Sequence, residues 1–125
     1  MIVGSGVDLV EVDRIRRSIE RFGGRFLERV FTAAERAYAE GRKNRFERYA
    51  ARFAAKEAAM KALGTGWKDG VRLVDIEVTN LPSGKPTLRF AGAAAARAQQ
   101  LGVRSVALSI SHTESLAIAE VILEA

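Results

Sequence analysis

The alternation of apolar and other residues at the start of the chain, in MIVGSGVDLVEV, predicts a β-strand. Its even-numbered positions form one face that is apolar or without side chains except at Asp8. Gly4 and Gly6 remove side chains beside Asp8, which lets another backbone or a ligand come close. A turn or bulge at Gly4-Ser5-Gly6, with Asp8 bonded to backbone donors, is the alternative interpretation.

A helical period replaces this alternation in the segment RIRRSIERF, which predicts a helix capped by Asp13 and ended by Gly23-Gly24. The following segment, RFLERVF, is too short and ambiguous to assign. The residues expected on the buried side of the helix are Ile15, Ile19 and Phe22.

Two more helices are predicted before the middle of the chain. Thr32 and Glu35 have the spacing of a capping box, which begins a helix that runs to about Gly41. The longest helical pattern covers residues 45–63 and ends at Gly64, because glycine is the usual residue just after a helix.

The second half of the chain is richer in strands. VRLVDIEVT alternates as a strand, NLPSGKP is a turn, and TLRF is a short strand. AGAAAARAQQLG predicts an alanine-rich helix, and VRSVALSIS and LAIAEVILE predict a final hairpin. The resulting order, β-α-α-α-β-β-α-β-β, indicates an α+β fold with a mostly antiparallel sheet, in a single domain over residues 1–125.

Glu57 is out of place on the longest helix. The apolar stripe of that helix passes directly through Glu57, although an unpaired carboxylate removed from water costs several kcal/mol. One interpretation is an ion pair with Lys61, one turn further on, at the edge of the core. The other is that Glu57 binds a cation. The stripe itself consists of Phe46, Tyr49, Phe53, Met60 and Gly64.

Polar groups end two other apolar faces in the same way. Asp8 does so on the first strand, and His112 does so where the strand VRSVALSIS ends. Each alone is more often a structural hydrogen-bonding residue. Together, two carboxylates and the nearby Lys61 match a magnesium ion on a phosphate, because Mg²⁺ is usually held by one or two carboxylates, waters and phosphate oxygens. Lysine then supplies a compact positive charge to the remaining oxygens.

The charge of the chain is unevenly distributed. Its 125 residues carry a formal net charge of +5. Residues 1–61 contain 14 Lys/Arg and 9 Asp/Glu, whereas residues 62–125 contain 6 of each. This excess, mostly arginine, indicates an anionic partner or substrate.

The composition also bears on the location of the protein. The sequence has no cysteine, which excludes disulfides, thiolate metal sites and a thiol nucleophile. No apolar run approaches the roughly 20 residues of a membrane span. The first residues lack the basic leader of a signal peptide. We therefore expect a cytoplasmic protein that has no membrane partner.

Two other classes of function stay open from composition alone. A small nucleic-acid-binding module would fit the arginine content, but the sequence has no recognition-helix motif, no aromatic RNA-binding pair and no basic second half. A non-catalytic interaction protein would leave the Asp8 and Glu57 carboxylates unexplained. We therefore expect no nucleic-acid partner.

Four segments together resemble a known family. GSGVDLVEVDRI, RFAAKEAAMKALGTG, SGKPTLRF and ISHTESLAIAEVI are similar, in order and spacing, to the holo-[acyl-carrier-protein] synthases of the short 4′-phosphopantetheinyl transferase family. The resemblance covers nearly the whole chain. It implies transfer of the phosphopantetheine arm of coenzyme A to a serine of acyl carrier protein, with release of adenosine 3′,5′-bisphosphate, in support of fatty acid biosynthesis. It also implies a homotrimer whose active sites are shared between neighbouring chains.

The resemblance assigns roles to residues of this chain. Asp8 and Glu57 are expected to bind Mg²⁺ on the coenzyme A diphosphate, and Lys61 to contact that phosphate. Glu57, directly or through water, is our candidate base for the serine proton. The residues implied to lie beside the adenosine and its 3′-phosphate are Arg45, Arg52 and His112, with the loop Gly84-Lys85-Pro86 next to them.

A basic stripe on the first helix is the expected docking site for the carrier protein. Arg14, Arg17 and Arg21 recur at i, i+3 and i+7. Most such stripes are only solvated faces. Acyl carrier proteins are strongly acidic as a family, however, so a basic stripe just after the Asp8 strand would steer one towards the site.

Overall fold

The computed structural model describes residues 1–66 and 69–125. Over these residues the chain forms five strands and five helices, with a 3₁₀ turn at Leu73–Asp75. In chain order they are β1 (Ile2–Glu11), α1 (Val12–Phe22), α2 (Gly24–Val30), α3 (Ala33–Ala39), α4 (Arg45–Leu63), β2 (Ile76–Asn80), β3 (Pro86–Phe90), α5 (Gly92–Leu101), β4 (Ser105–His112) and β5 (Leu116–Glu124).

All strand pairs in the described residues are antiparallel. One sheet has the order β1-β5-β4, and β2 and β3 form a separate hairpin. This confirms the predicted α+β fold with antiparallel strands. None of the helices within residues 1–66 and 69–125 is both long and apolar enough to cross a membrane.

Helix α4 is the centre of the structure. Its bounds are those predicted, and Gly64 ends it in the left-handed conformation. The helix is buried on nearly every side rather than along one stripe, because the three-stranded sheet packs on one side and other helices and the β2–β3 hairpin on the rest. Its fully buried small residues, which let these elements approach closely, are Ala50, Ala54, Ala55, Ala58 and Ala59.

The two glycines of β1 face α4 at very short range. A β-carbon on Gly4 would overlap the carbonyl oxygen of Ala62, and one on Gly6 would overlap that of Ala58. The glycines therefore admit another backbone, which was one of the two possibilities given by the sequence. Asp8 follows two residues later on the same face of the strand and so points towards the same helix.

A buried ion pair that the sequence did not reveal joins three elements behind this contact. The predicted capping box is confirmed, since Thr32 and Glu35 bond reciprocally at the start of α3. The Glu35 carboxylate also pairs with Lys56 of α4 at 2.7 Å, with both side chains 0% exposed. Lys56 Nζ donates to the carbonyls of Leu73 and Ile76, and the amide of Val78 donates to Glu35. The start of β2 is thereby fixed to α3 and α4.

Two predictions about α1 were wrong. The helix begins at Val12, whose amide donates to the carbonyl of Ser115. Asp13 therefore lies inside the first turn, where it pairs with Arg16 and Arg17 instead of capping the helix. Phe22, predicted to be buried, is 50% exposed because it lies at the last residue of the helix, beyond the core.

Two segments differ from their predicted structure. The unassigned RFLERVF is helical and forms most of α2. Only the last part of VRLVDIEVT is a strand, because the Asp75 carboxylate takes two hydrogen bonds from the Arg72 guanidinium and the chain turns there before β2 begins.

The face of the three-stranded sheet that points away from α4 is rich in exposed apolar side chains. Leu9 and Ile118 are paired in register and are 61% and 41% exposed. Val7 and Leu116 are 53% and 41% exposed on the same face. An exposed apolar sheet face of this kind indicates a protein interface.

Candidate active site

Asp8 and Lys61 join β1 to α4 at the start of the site. Lys61 Nζ lies 3.2 Å from Asp8 Oδ1 and donates to the carbonyl of Val7 at 2.9 Å. The Asp8 side chain is 17% exposed, whereas that of Lys61 is 56% exposed. The carboxylate is thus held in place, while the ammonium group stays accessible to a ligand.

Glu57 lies on α4 one turn before Lys61 and is half-buried. Burial raises the pKa of its carboxyl, and the negative charge of Asp8 raises it further. The positive charges of Arg14 and Lys61 offset part of this rise. Two carboxylates therefore influence each other here. Lys61 makes its ion pair with Asp8 rather than with Glu57, contrary to the simpler interpretation of the sequence.

The donor set of Asp8 and Glu57 fits a magnesium ion that is shared with a phosphate. Mg²⁺ prefers oxygen ligands and usually takes one or two carboxylates, completing its shell with waters and substrate phosphates. No cluster of three or more His, Cys, Asp or Glu side chains suited to a metal occurs in residues 1–66 and 69–125. The Asp8–Glu57 pair matches the lower ligand count of a substrate-dependent ion.

A second region of the site is a cavity of about 170 Å³ between α3, α4, the β2–β3 hairpin and the end of β4. The buried guanidinium of Arg52 donates to Asn80 Oδ1 at 3.1 Å, and Asn80 Nδ2 donates to the carbonyl of Gly84 at 3.0 Å. His112 Nδ1 lies 3.1 Å from Glu47 Oε1. The cavity is lined by Tyr38, Arg48, Ala51, Arg52, Asn80, Pro86, Ile110 and His112.

This cavity brings together several residues that the sequence predicted for the nucleotide. Arg52, Pro86 and His112 line it, and Gly84 is connected to it through Asn80. Lys85 lies in the same turn and is exposed. The predicted nucleotide loop is therefore next to the predicted nucleotide side chains.

Arg45 lies apart from this cavity. Its guanidinium pairs with Glu40 at 3.0 Å and stacks on the ring of Phe46, with 4.6 Å from Cζ to the ring centre. Its assignment to the nucleotide stays a prediction from the family resemblance, because the side chain lies on a different side of the start of α4.

Tyr38, Arg42 and Arg48 belong to the cavity region, and sequence reasoning missed them. The guanidinium groups of Arg42 and Arg48 lie 4.9 Å and 5.2 Å from the centre of the Tyr38 ring. The spacing of Arg48 and Arg52 on one helix could have suggested a shared face. Nothing in the sequence placed the tyrosine of α3 between these arginines.

The carboxylate pair and the cavity lie within reach of one ligand. Arg52 and Glu57 are five residues apart on α4, which is roughly 7.5 Å along the helix axis. Across the sheet, Asp8 pairs with Ala119, and Ala119 pairs with Ile110 of the cavity wall. Two strand spacings amount to roughly 10 Å. An extended ligand can therefore have one end at the cavity and the other at the carboxylates.

The three arginines predicted for docking are all exposed on α1. Arg14 is the nearest to the carboxylates, since its guanidinium lies 5.8 Å from the centre of the Phe53 ring and its charge reaches Glu57. Arg17 lies 3.5 Å from Asp13, and Arg21 lies over the ring of Phe22. Residues of α2 extend this basic surface around a cavity of about 560 Å³ lined by Phe22, Arg25, Phe26, Glu28 and Arg29.

The raised pKa of Glu57 predicts a pH-dependent gain in stability for Glu57→Gln in the metal-free protein. Ionised Glu57 is disfavoured in the folded state, so the fold loses stability as pH rises from the ordinary glutamate range through the raised pKa. Glutamine carries no such cost. We expect the variant to have the higher melting temperature at pH 7, and the difference to vanish where Glu57 is protonated in both folded and unfolded states.

Thermal unfolding followed by circular dichroism in chelator, from pH 3.5 to pH 8, measures this difference. Glu20→Gln, which changes an exposed glutamate of α1 in the same way, is the control. A Glu57→Gln variant that is less stable than the parent at pH 7 would contradict the prediction.

Comparisons with known proteins identify the family to which the chain belongs. The 4′-phosphopantetheinyl transferase superfamily matches residues 4–119. A holo-[acyl-carrier-protein] synthase of Solibacter usitatus is 64% identical over 124 residues, which cover 99% of each chain.

Solved structures give the same result. The holo-[acyl-carrier-protein] synthase of Neisseria meningitidis superposes with a TM-score of 0.90 at 34% identity over 100% of both chains. That of Bacillus anthracis, in complex with CoA (3′,5′-ADP), superposes with a TM-score of 0.80 at 42% identity over 98% of this chain and 96% of its own. The family that the sequence motifs predicted is therefore confirmed: the chain belongs to the holo-[acyl-carrier-protein] synthases of the 4′-phosphopantetheinyl transferase superfamily.

Proposed function

We propose that this enzyme transfers the phosphopantetheine arm of coenzyme A to a serine of apo acyl carrier protein, in a magnesium-dependent reaction that releases adenosine 3′,5′-bisphosphate. The observation that supports this most directly is the pair of mutually influencing carboxylates, Asp8 and Glu57, beside an accessible lysine and within reach of an arginine-lined cavity. The printed names of the relatives, and the CoA complex of the Bacillus anthracis protein, support the same substrate.

The carboxylates and Lys61 would receive the diphosphate of coenzyme A. Asp8 and Glu57 would hold Mg²⁺, which when bound would draw negative charge from the diphosphate. Lys61 Nζ is positioned to contact the oxygens that remain. Phosphoryl transfer depends mainly on positioning and charge neutralisation, which is what this small set of side chains supplies.

The reaction moves one phosphorus between two oxygens. The serine hydroxyl oxygen of the carrier protein bonds to the phosphorus that bears the pantetheine arm, and the bond from that phosphorus to the bridging oxygen of the adenosine bisphosphate breaks. The serine proton goes to Glu57, directly or through a water. Asp8 is already paired with Lys61, which leaves Glu57 as the carboxylate that would take this proton.

The other end of coenzyme A would lie in the cavity of α4 and the β2–β3 hairpin. Arg52 and His112 would face the adenosine and its 3′-phosphate, with Gly84-Lys85-Pro86 beside the nucleotide. Arg45 belongs to the same proposal through the family resemblance.

We place the reaction in the cytoplasm and in fatty acid biosynthesis. The thiol at the end of the transferred arm is the group on which a carrier protein holds an acyl chain, so its attachment must precede acyl transfer. Both assignments, like the absence of a nucleic-acid partner, stay predictions from the composition and the family resemblance.

Mass spectrometry of the carrier protein tests the reaction. With coenzyme A and Mg²⁺, we expect apo acyl carrier protein to gain the mass of one phosphopantetheine arm. Asp8→Asn should reduce the rate by about 10³-fold or more, since one of two magnesium ligands is lost from a reaction that depends on charge neutralisation. Addition of chelator should stop transfer by the parent enzyme.

The control for this experiment is Asp69→Asn, an exposed carboxylate change outside the site. We expect that variant to retain the parent rate, and both variants to keep the far-ultraviolet spectrum of the parent. Near-normal turnover of Asp8→Asn at limiting magnesium would overturn the metal assignment. No mass gain with the parent enzyme would overturn the proposed reaction.

We also propose a homotrimer built on the apolar outer face of the three-stranded sheet, with active sites shared between chains. Light scattering at micromolar concentration should give three chain masses. Leu9→Glu with Ile118→Glu places two charges directly opposite each other on that face and should yield monomers that have lost activity. Leu81→Glu changes another leucine, which is 46% exposed and lies off this face, and should leave the mass unchanged. A monomeric parent protein would refute the proposal.

We propose that the exposed arginines of α1 dock the carrier protein. Arg25 and Arg29 of α2 enlarge this basic surface. We expect Arg17→Glu with Arg21→Glu to raise the KM for carrier protein by about tenfold, because each exposed pair contributes up to about 1 kcal/mol. The KM for coenzyme A should change less than about twofold, and the loss of activity with added salt should become shallower.

Arg14 is left unchanged in that test because its charge reaches Glu57. Arg104→Glu with Arg89→Glu makes the same charge change at exposed positions away from α1 and serves as the control. An equal rise in the KM for coenzyme A would mean that the α1 arginines belong to the nucleotide site.

A further inference from the structure

Tyr38 of α3 is surrounded by three guanidinium groups. The Cζ atoms of Arg52, Arg42 and Arg48 lie 3.9, 4.9 and 5.2 Å from the centre of its ring. Arg48 Nη1 also donates to the Tyr38 hydroxyl at 2.7 Å, and Arg42 Nε donates to the Tyr38 carbonyl at 2.6 Å. One side chain thus contacts all three arginines.

Within residues 1–66 and 69–125, no carboxylate forms an ion pair with Arg42, Arg48 or Arg52. Burial lowers the pKa of Arg52, Tyr38 and Glu35 offset part of this, and the like charges of Arg48 and Arg42 lower the pKa further. The cluster therefore keeps a concentrated positive charge at an electrostatic cost. Such a cost is typical of a site that receives an anion.

Arg52 has unused capacity to bind that anion. Arg52 is 6% exposed, yet its Nε has no hydrogen-bond partner among the residues that the structure describes. It lines the cavity together with Tyr38, Arg48 and His112. A buried N–H without a partner costs free energy, and an oxygen-rich anion in the cavity would supply the missing acceptor.

The Tyr38 ring and hydroxyl hold the three guanidinium groups together although their charges repel one another. Cations over the face of an aromatic ring are attracted by its negative π-surface, so the ring can hold guanidinium groups that repel one another. Its hydroxyl oxygen accepts from Arg48 and fixes that guanidinium in one orientation. Without the ring, the exposed Arg42 would keep only its bond to the Tyr38 carbonyl, and the half-buried Arg48 would keep only its bond to Asn44 Oδ1.

We propose that Tyr38 is a positioning residue that holds Arg42, Arg48 and Arg52 ready for a phosphate monoester dianion and so sets the preference for a 3′-phosphorylated nucleotide. This inference rests on the proposed function, because the 3′-phosphate of coenzyme A is the monoester that an enzyme of this kind would meet. It concerns binding and preference, not the chemistry at Asp8 and Glu57.

Calorimetric binding of two nucleotides to the whole enzyme tests the proposal. Adenosine 3′,5′-bisphosphate carries the 3′-phosphate, and adenosine 5′-monophosphate lacks it. We expect the parent enzyme to prefer the bisphosphate by more than tenfold. Tyr38→Leu should lower that preference about tenfold, or about 1.4 kcal/mol, because only the affinity for the bisphosphate falls. Tyr38→Phe keeps the ring and loses the hydroxyl, so it should lower the preference by about threefold.

Several outcomes would overturn the proposal. An equal loss of affinity for both nucleotides in Tyr38→Leu would mean that the ring contacts the adenosine or merely supports the fold. A parent enzyme without preference for the bisphosphate would exclude a monoester site. Should Tyr38→Leu fail to fold, an unchanged preference in Tyr38→Phe overturns the proposal by itself. Arg104→Gln, which removes an exposed charge at the opposite end of β4, is the control and should bind both nucleotides as the parent does.

Steady-state kinetics distinguish a positioning role of Tyr38 from a purely structural one. With coenzyme A, Tyr38→Leu should raise KM about tenfold and leave kcat within about twofold, whereas the KM for 3′-dephospho-coenzyme A should be unchanged. Because nucleotide binding is measured without carrier protein, failure of the transfer reaction leaves the binding test valid, and the two proposals can fail independently.

Discussion

The close approach of β1 to α4 is the contact on which the rest of the site depends. Gly4 and Gly6 place the strand backbone directly against the carbonyls of Ala62 and Ala58, where no β-carbon fits. A strand held at that distance carries Asp8 into range of Glu57 and Lys61. The alanines of α4 serve the same end, because their small side chains let strand and helix approach along most of the helix. The proximity of the two candidate carboxylates is therefore a consequence of backbone packing.

The cavity side of the site depends on a second interaction, the buried ion pair of Lys56 and Glu35. Lys56 and Glu35 are fully buried and bond to the backbone on both sides of the start of β2. Buried ion pairs add little net stability over apolar residues of the same size. Their directional bonds do fix the hairpin relative to α3 and α4. Asn80, at the end of β2, can then bridge Arg52 and Gly84.

The parts of this structure that were predictable from sequence are those that depend on local patterns. The bounds of α4, the capping box at Thr32 and the final hairpin follow from periodicity and turn residues that short segments carry by themselves. Glu57 was identifiable because a carboxylate on an apolar stripe contradicts the pattern around it. Asp8 was identifiable for the same reason.

The features that were missed depend on contacts between distant segments. Lys56 lies in a run of alanines on a helix buried on nearly every side, and its partner Glu35 is 21 residues earlier in the chain. The start of α1 is determined by the carbonyl of Ser115, which no local pattern near Asp13 reveals. Tyr38 gains its arginine neighbours only when α3 packs against α4. Arg45 and Arg48 are near neighbours in sequence, yet Glu40 and Tyr38 draw them to different partners.

The pairing of Lys61 with Asp8 has a consequence for the form in which the substrate arrives. With both carboxylates ionised, Asp8, Glu57 and Lys61 sum to one negative charge, which Arg14 offsets from the side of α1, so a bare diphosphate finds little net attraction at the carboxylates. A diphosphate that brings its own divalent cation presents the opposite charge to the carboxylates and releases the lysine towards the phosphate oxygens. On the proposed function, these charges would favour the cation complex of coenzyme A over the uncomplexed molecule as the substrate. Between turnovers, Lys61 acts as the resident counter-ion of Asp8.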